Sequence, residues 1–257
     1  MLDTMALALG AATGSFLNVA IYRMPRGESV VAPRSHCTTC ERVISWYDNL
    51  PVLSWLLLRG RCRGCGQSFS IRYPIVEALT AILLLGLSLQ FGWTLGLAFA
   101  FYFACSLLVV TYIDLDHQII PDRITLPGIA VGLVLALVAP AEMRWPAVQS
   151  WAIGTLVGGG ILWVVAWGYE LATGREGMGG GDIKLLAMIG AFLGWQGVLL
   201  SLMLASFIGS IVGVGWMVAR GADSKLAIPF GPFLSLGALV ALFWGDSIIH
   251  WYLSTLF

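Results

Sequence analysis

Two short stretches of the sequence carry carboxylates that could do chemistry. The segment "GMGGGDIKLL" (177–186) leads through four glycines to Asp182. The segment "TYIDLDHQIIPD" holds three more acids, which are Asp114, Asp116 and Asp122. Like charges a few ångströms apart cannot both ionise easily, so two carboxylates that met would share one proton. The ionised partner could then activate a water while the protonated one donates to a carbonyl oxygen or leaving amine. Such a pair hydrolyses peptides without a metal or a covalent intermediate.

Each stretch also has a plainer interpretation. Asp182 could be the N-cap of the helix that begins at "IKLLAMIGAFLG", and Asp116, His117 and Asp122 could be solvated loop residues. Against this, ionisable residues in or beside apolar segments are costly and are by default functional candidates. The glycines favour function too, because a backbone without Cβ atoms lets an extended substrate approach Asp182. Pro121 is expected to break any helix before Asp122.

A second chemical feature is a set of four cysteines in "SHCTTCERV" and "RGRCRGCGQSF". Cys37 and Cys40 form one Cys-x-x-Cys pair, Cys62 and Cys65 form another, and 21 residues separate the pairs. This spacing is typical of a zinc site, since each tight turn presents two thiolates to one tetrahedral ion. Four thiolates close the coordination shell, so the metal is expected to be structural.

The alternative for the four cysteines is two disulfides. The loop is predicted below to face the cytoplasm, where thiols stay reduced, so zinc is favoured. Gly64 and Gly66 suit the knuckle turns, and His36 is a possible competing ligand. Cys105 lies in an apolar stretch and is expected to be a packing residue.

The elements that position these residues are membrane spans. The 257 residues are 58% hydrophobic and 11% charged, against about 25% charged in soluble domains. A span needs about 20 apolar residues. The sequence therefore predicts an all-α polytopic membrane protein with about eight transmembrane helices and a small cytoplasmic zinc-ribbon-like insertion. The predicted spans are 4–22, 75–91, 93–113, 125–140, 149–168, 184–195, 197–219 and 228–252.

Basic residues predict the orientation. Eight of the 14 lie between Arg23 and Arg72. With that loop in the cytoplasm, eight alternating spans place five more basic residues inside and only Arg144 outside. Both termini then lie outside, and the first apolar run is expected to be a retained span because no basic segment precedes it. The net charge is zero, which gives no indication of a nucleic-acid partner.

With these motifs in order, the chain resembles the bifunctional type IV prepilin leader peptidases and N-methyltransferases, a family of Gly-x-Gly-Asp membrane aspartic proteases. Five segments carry the resemblance and together cover nearly the whole chain. They are "GSFLNVAIYRMPRGES" (14–29), "IRYPIVEALTA" (71–81), "IDLDHQIIPD" (113–122), "TGREGMGGGDIKLLAMIGAFLGW" (173–195) and "IPFGPFL" (228–234).

The resemblance implies that Asp114 and Asp182 are the catalytic pair. Asp114 opens an Asp-x6-Pro pattern that ends at Pro121, and Asp116 is the alternative two residues later. Further motif or substrate-contact candidates are Gly179, Gly181 and Lys184. The family cleaves the basic leader of prepilins or pseudopilins after a glycine, at the cytoplasmic face of the bacterial inner membrane. Prepilins, pseudopilins and membrane lipid are thus the implied partners.

The resemblance also implies methylation of the new N-terminal residue from S-adenosylmethionine. The sequence contains no glycine-rich dinucleotide-binding turn that would hold this donor. Glu77, near the start of the second span, is the candidate for contact with the methyl-transfer site or the substrate amine. The alternative for Glu77 is a helix-start acid favoured by the helix dipole. "IPFGP" (228–232) cannot continue a regular helix and could shape the groove near the acids.

The expected domains are a first span (1–22), a four-cysteine loop (23–73) and a peptidase domain (74–257). Two rival functions use the same features. A transporter or ion channel also has inward-facing aspartates and broken helices, and a zinc-ribbon scaffold would leave the Gly-x-Gly-Asp motif idle. Cleavage of a prepilin by a variant lacking Asp182 separates the peptidase from both.

Overall fold

The structure, a computed structural model, describes residues 1–138, 148–175, 177–220 and 228–256. These residues are predominantly helical and contain no strand; two isolated bridges, His36 with Val43 and Arg61 with Ser68, are their only β pairing. Arg144 and Lys225, used above for the orientation, lie outside the described residues, as do the last two residues of the predicted fourth span.

Eight α-helices follow one another along the described chain. They are α1 (Leu2–Arg23), α2 (Leu53–Leu57), α3 (Arg72–Phe91), α4 (Leu95–His117), α5 (Asp122–Val138), α6 (Val148–Thr173), α7 (Gly180–Arg220) and α8 (Gly231–Leu256). Short 3-10 helices occupy Met24–Arg26 and Trp46–Asn49. Six of the described helices are long and apolar enough to cross a membrane, which are α1, α3, α4, α6, α7 and α8.

The predicted all-helical membrane fold is confirmed, with six candidate spans. The fourth predicted segment corresponds to α5, which has 17 described residues and contains Pro127. The sixth and seventh fall on the 41 residues of α7, which Gly194 interrupts with a φ of 67° and a ψ of −179°. The break lies inside "LGWQG", where the sequence predicts the end of one segment and the start of the next.

The chain divides into two compact units, Met1–Leu97 and Ala98–Phe257. The three-part division of the sequence given above stays a prediction. In the first unit, α1 packs on α3 through small residues. A Cβ atom on Gly14 would lie 2.6 Å from the Glu77 Cα, and one on Gly10 would lie 2.6 Å from the Ala81 Cα. The two helices approach this closely because the four-residue spacing puts both glycines on one helix face.

The core of the second unit lies around the first half of α7. Leu185, Leu186, Met188 and Ile189 are fully buried there. The rings of Phe103 on α4 and Phe192 on α7 stack with centroids 4.5 Å apart. α7 also packs on α5, α6 and α8. Its first turn contains Asp182.

Candidate active site and metal centre

Asp114 lies one turn before the end of α4 and is 5% exposed. Its Oδ2 atom accepts a hydrogen bond of 2.9 Å from the backbone N–H of Gly231. Gly231 is the first residue of α8, where the leading N–H groups have no partner within the helix. The segment "IPFGP" therefore brings a free backbone donor to the Asp114 carboxylate.

Asp182 lies in the first turn of α7 and is half-buried. Its Oδ1 atom is buried and has no hydrogen-bond partner among the described residues. The N-cap alternative is not what the structure shows, because α7 begins at Gly180 and Asp182 is already inside its first turn. A carboxylate there is favoured by the positive end of the helix dipole.

Ile120 lies close to Gly181, which precedes Asp182, and to Gly231, which binds Asp114. A Cβ atom on Gly181 would lie 2.8 Å from the Ile120 Cβ, and one on Gly231 would lie 3.2 Å from the Ile120 Cδ1. Asp182 follows Gly181 directly, and the Asp114 carboxylate contacts Gly231, so both residues lie close to the neighbours of one isoleucine. Asp182 lies within range of the Asp114 charge. The structure thus brings together the two acids that the resemblance pairs.

The other two acids of the 111–122 segment, Asp116 and Asp122, have surroundings different from those of Asp114. Asp116 is exposed on the last turn of α4, unlike the buried Asp114. Asp122 begins α5, as expected from Pro121, and both of its carboxylate oxygens accept hydrogen bonds of 2.7 Å from the Lys184 Nζ. This ion pair joins the first residue of α5 to the start of α7, two residues after Asp182.

The glycines before Asp182 differ in their surroundings. A Cβ atom on Gly179 or Gly180 would meet no atom of the described residues within 4 Å, so the space beside them is open to those residues. Gly181 is tightly confined, because its Cβ would collide with Ile120. The open space at Gly179 and Gly180 suits the approach of an extended peptide toward Asp182.

The four loop cysteines form one cluster. Their Sγ atoms all lie within 4.8 Å of one another, and those of Cys37 and Cys65 are 3.8 Å apart. A tetrahedral ion with Zn–S bonds of about 2.3 Å needs sulfurs about 3.8 Å apart, so these residues fit zinc. All five cysteines of the chain are free thiols, which excludes the disulfide alternative in this structure. Cys105 is buried in α4, as expected.

The two cysteine turns have the same backbone design. The N–H of Cys37 donates to the Arg42 carbonyl at 2.9 Å, and the N–H of Cys62 donates to the Gln67 carbonyl at 2.8 Å. Four residues after the first cysteine of each turn, Glu41 and Gly66 have φ values of 56° and 73°. The expectation that Gly66 serves a knuckle turn is thereby confirmed, since its left-handed φ favours glycine.

Backbone N–H groups lower the pKa of Cys37, the first cysteine of the cluster. The N–H groups of Cys40 and Thr39 lower the pKa of Cys37 to about 6, which makes the thiolate available near neutral pH. At Cys65 the Gln67 N–H acts in the same direction, but burial and the neighbouring thiols outweigh it and raise the pKa to about 11. A bound divalent cation would favour the thiolate at every position.

Glu77 is 8% exposed and lies more than one turn inside α3. Its Oε2 atom accepts a hydrogen bond of 2.7 Å from the Val52 N–H, and the Ser15 side chain lies beside its carboxylate. These contacts tie α3 to the four-cysteine loop and to α1. They differ from those of a solvated helix-start acid, which was the alternative for this residue.

Three groups that contribute to these sites were not predicted from the sequence. They are the N–H of Gly231, the N–H of Val52 and the side chain of Ile120. The first two come from backbone atoms, which every residue except proline carries, so no residue type marks them. Ile120 is one of many apolar residues in its segment. The only available signal was "IPFGP", which was expected to lie near the acids without a specified contact.

The comparisons with known proteins agree with this architecture. Residues 8–91 match the family model described as Bacterial Peptidase A24 N-terminal domain, and residues 101–214 match the one described as Type IV leader peptidase family. The first match contains the cysteine cluster and Glu77, and the second contains Asp114 and Asp182. The chain belongs to the type IV leader peptidase family and is a multi-pass membrane protein.

Several relatives align along nearly the whole chain. A "Prepilin leader peptidase/N-methyltransferase" of Aeromonas salmonicida is 41% identical, over 95% of this chain and 91% of its own length. Proteins with the same name from Legionella pneumophila and Pseudomonas putida are 40% and 39% identical, over 94% and 95% of this chain and 91% of their own lengths. No solved structure matches the chain at a significant level.

Proposed function

We propose that this protein cleaves the leader peptide of type IV prepilins or pseudopilins and methylates the new N-terminal residue. The names of relatives about 40% identical over nearly the full length support both activities. The structural observation that carries the cleavage reaction is the convergence of Asp114 and Asp182 around Ile120. Two carboxyl groups at one site, here one buried and one half-buried, are what an aspartic peptidase needs.

The two acids share one proton in the proposed mechanism. The ionised carboxylate takes a proton from a water molecule as its oxygen attacks the carbonyl carbon of the scissile bond. The protonated carboxyl stabilises the carbonyl oxygen, and a proton passes to the nitrogen as the C–N bond breaks. The products are a leader carboxylate and a pilin with a protonated N-terminal amine, and the two acids return to their starting charge.

The unequal surroundings of the two acids support a division of roles. Asp114 accepts an N–H bond from Gly231, which stabilises negative charge on its Oδ2 atom. Asp182 Oδ1 receives no hydrogen bond among the described residues, so protonation of Asp182 avoids a buried negative charge without a donor. We assign the ionised role in the resting enzyme to Asp114 and the protonated role to Asp182.

The proposed orientation puts both acids at the cytoplasmic face of the inner membrane. It rests on the basic residues of the 23–72 loop, which positive-inside placement keeps in the cytoplasm. A basic prepilin leader is retained on the same side by the same rule, while the apolar pilin helix stays among the spans and lipid. The open backbone at Gly179, with Gly181 and Lys184 beside Asp182, is proposed to receive the residues around the scissile glycine.

The proposed metal is a structural zinc ion held by Cys37, Cys40, Cys62 and Cys65. The sulfur separations fit a closed tetrahedral shell, which leaves no position for a substrate. For methylation, S-adenosylmethionine supplies the methyl group. Glu77 is proposed to contact the positively charged group at the methyl-transfer site, because its carboxylate is buried and accepts only neutral donors.

The deciding experiment compares three isosteric variants in membranes supplied with a prepilin. Asp114→Asn and Asp182→Asn are expected to lower the cleavage rate by about 10²- to 10⁴-fold, the usual contribution of a general acid or base. Asp116→Asn is the matched control, since it makes the same change two residues away on an exposed position. Methylation of an already cleaved pilin, scored in the same membranes, is expected to persist in all three.

Each alternative has its own outcome in that experiment. Loss of cleavage in Asp116→Asn alone would show that Asp116, and not Asp114, is the catalytic residue. Normal cleavage by all three variants would refute the aspartyl mechanism and favour the transporter or scaffold interpretation. Loss of both activities together with loss of protein from the membrane would show a folding defect, which the amount of intact protein measures directly.

A further inference from the structure

The first unit contains a cavity of about 320 Å³ bordered by α1, the four-cysteine loop and α3. Ser15, Val19 and Tyr22 line it from α1, Trp55 lines it from α2, and Tyr73 and Glu77 line it from α3. All of these residues lie within Met1–Leu97. Ligand-binding cavities have volumes of about 300–1,000 Å³, so this one has room for a compact small molecule.

The Glu77 carboxylate in this cavity lacks a cation. Its hydrogen-bond partner in the described part of the chain is the Val52 N–H, and the neighbouring Ser15 side chain is neutral as well. The buried Arg23 does not compensate it, because its guanidinium donates to the Ser29 and Pro33 carbonyls at 3.0 and 2.8 Å. A buried carboxylate without a counter-charge is unfavourable, and a positively charged ligand would supply that charge.

The Trp55 side chain of the cavity is held in a fixed position. The Trp55 Nε1 donates to the Phe69 carbonyl at 3.3 Å, and its ring lies against Gly60, where a Cβ would approach it to 2.8 Å. Tyr73 adds a further ring, and so does Tyr22, one face of which is covered by the Arg26 guanidinium at 3.9 Å from the ring centroid. Fixed aromatic faces attract both cations and flat heterocyclic bases.

Basic groups are also present in the lining. Arg63 is bound to Asp48, with an Nη2–Oδ1 distance of 2.8 Å. Exposed Arg42 and Arg61 line the cavity as well and suit a carboxylate group. The cavity therefore combines a buried carboxylate, aromatic faces and guanidinium groups. A ligand that matches all three carries a cationic centre, an aromatic base and a carboxylate.

We infer that this cavity binds the sulfonium methyl donor, with Glu77 facing its positive charge and the aromatic residues contacting its adenine. The inference rests on the proposed methyltransferase activity and assigns its donor site to named residues. S-adenosylmethionine carries the required sulfonium, adenine and amino-acid carboxylate. The donor site then lies beside the cysteine cluster, so zinc organises its walls without joining the chemistry.

The test is binding of labelled S-adenosylmethionine to the purified full-length protein by equilibrium dialysis. Glu77→Gln keeps an oxygen for the Val52 N–H but removes the charge. It is expected to raise the dissociation constant about 10-fold or more, the loss typical of a charged hydrogen bond. Val19→Phe fills the cavity without changing a polar group and is expected to weaken binding similarly. Glu41→Gln is the matched control, because Glu41 belongs to the same loop and does not line the cavity.

Prepilin cleavage and zinc content are measured on every variant and are expected to stay within twofold of the parent protein. Parent-like donor binding by both Glu77→Gln and Val19→Phe would overturn the assignment of the cavity while leaving the methyltransferase activity in place. A parent protein that neither binds the donor nor methylates pilin would refute the methyltransferase activity itself. If Glu77→Gln also loses zinc, donor binding by Val19→Phe decides whether the cavity is the donor site.

Discussion

The substitution Gly231→Ala tests whether the start of α8 holds the catalytic carboxylate. A Cβ at this position would lie 2.6 Å from the Asp114 Oδ2 and 3.2 Å from its Cγ. Real Cβ atoms do not approach other atoms to less than 3.0 Å, so Asp114 must retreat by at least 0.4 Å. The retreat also lengthens the 2.9 Å hydrogen bond from the Gly231 N–H.

The expected effect is on the reaction more than on stability. A misplacement of about 1 Å in an active site can cost about 10²-fold in rate, so a shift of about half that size should cost about 10-fold or more. Alanine is a better helix former than glycine, which offsets part of the strain in the folded protein. We therefore expect cleavage to fall about 10- to 100-fold while the unfolding temperature changes little.

The assay is the initial rate of prepilin cleavage in membranes with equal amounts of enzyme. Gly245→Ala is the matched control on the same helix, because its Cβ would meet its neighbours at ordinary distances of 3.8 and 3.9 Å. It should leave cleavage unchanged, and both variants should methylate cleaved pilin normally. Cleavage by Gly231→Ala at the parental rate would refute the idea that this contact positions Asp114.

Three further predictions concern stability and metal. The Asp122–Lys184 pair has side chains 52% and 40% exposed, so a double-mutant cycle with alanine should give a coupling free energy below about 1 kcal/mol; a larger value would mean that the pair is shielded from water. Gly60→Ala introduces a clash with Trp55 at a φ of 65°, and should destabilise the loop by about 1–2 kcal/mol, seen as faster proteolysis there. Removing metal with a chelator should expose residues 23–73 to protease while residues 148–175 stay protected, because metal binding and loop folding are coupled; equal resistance with and without metal would contradict this.

The sequence was sufficient for the membrane fold because its strongest signals are local. A run of about 20 apolar residues predicts a span regardless of its neighbours, and over the described residues each predicted segment falls on a helix. The boundaries were less predictable. Gly194 has a non-helical φ and ψ and divides α7 into two helical segments that meet at a kink. The weak "LGWQG" signal indicated the position of this break and gave no information on its geometry.

The chemical groups of the sites were predictable, but their contacts were not. Asp114, Asp182 and the four cysteines have distinctive types and spacings, and the cysteine turns repeat one local backbone pattern. The meeting of α4 with the start of α8 joins residues 117 positions apart. No local pattern encodes such a contact, because it depends on how the helices of the second unit pack together.

The two units share one physical solution for a buried acid on a membrane helix. Asp114 accepts the N–H of Gly231 at the start of α8, and Glu77 accepts the N–H of Val52 directly before α2. In both cases the donor lies where a helix begins, and its N–H has no partner within that helix. Prolines adjoin both donors, Pro232 after Gly231 and Pro51 before Val52, and interrupt the regular backbone there. The donors are therefore available because the chain is irregular at these points. It follows that "IPFGP" and "NLPVLSW" belong to the two sites as much as the acids do. A substitution that makes the backbone of "IPFGP" regular should impair cleavage and spare methylation, and one in "NLPVLSW" should impair methylation and spare cleavage.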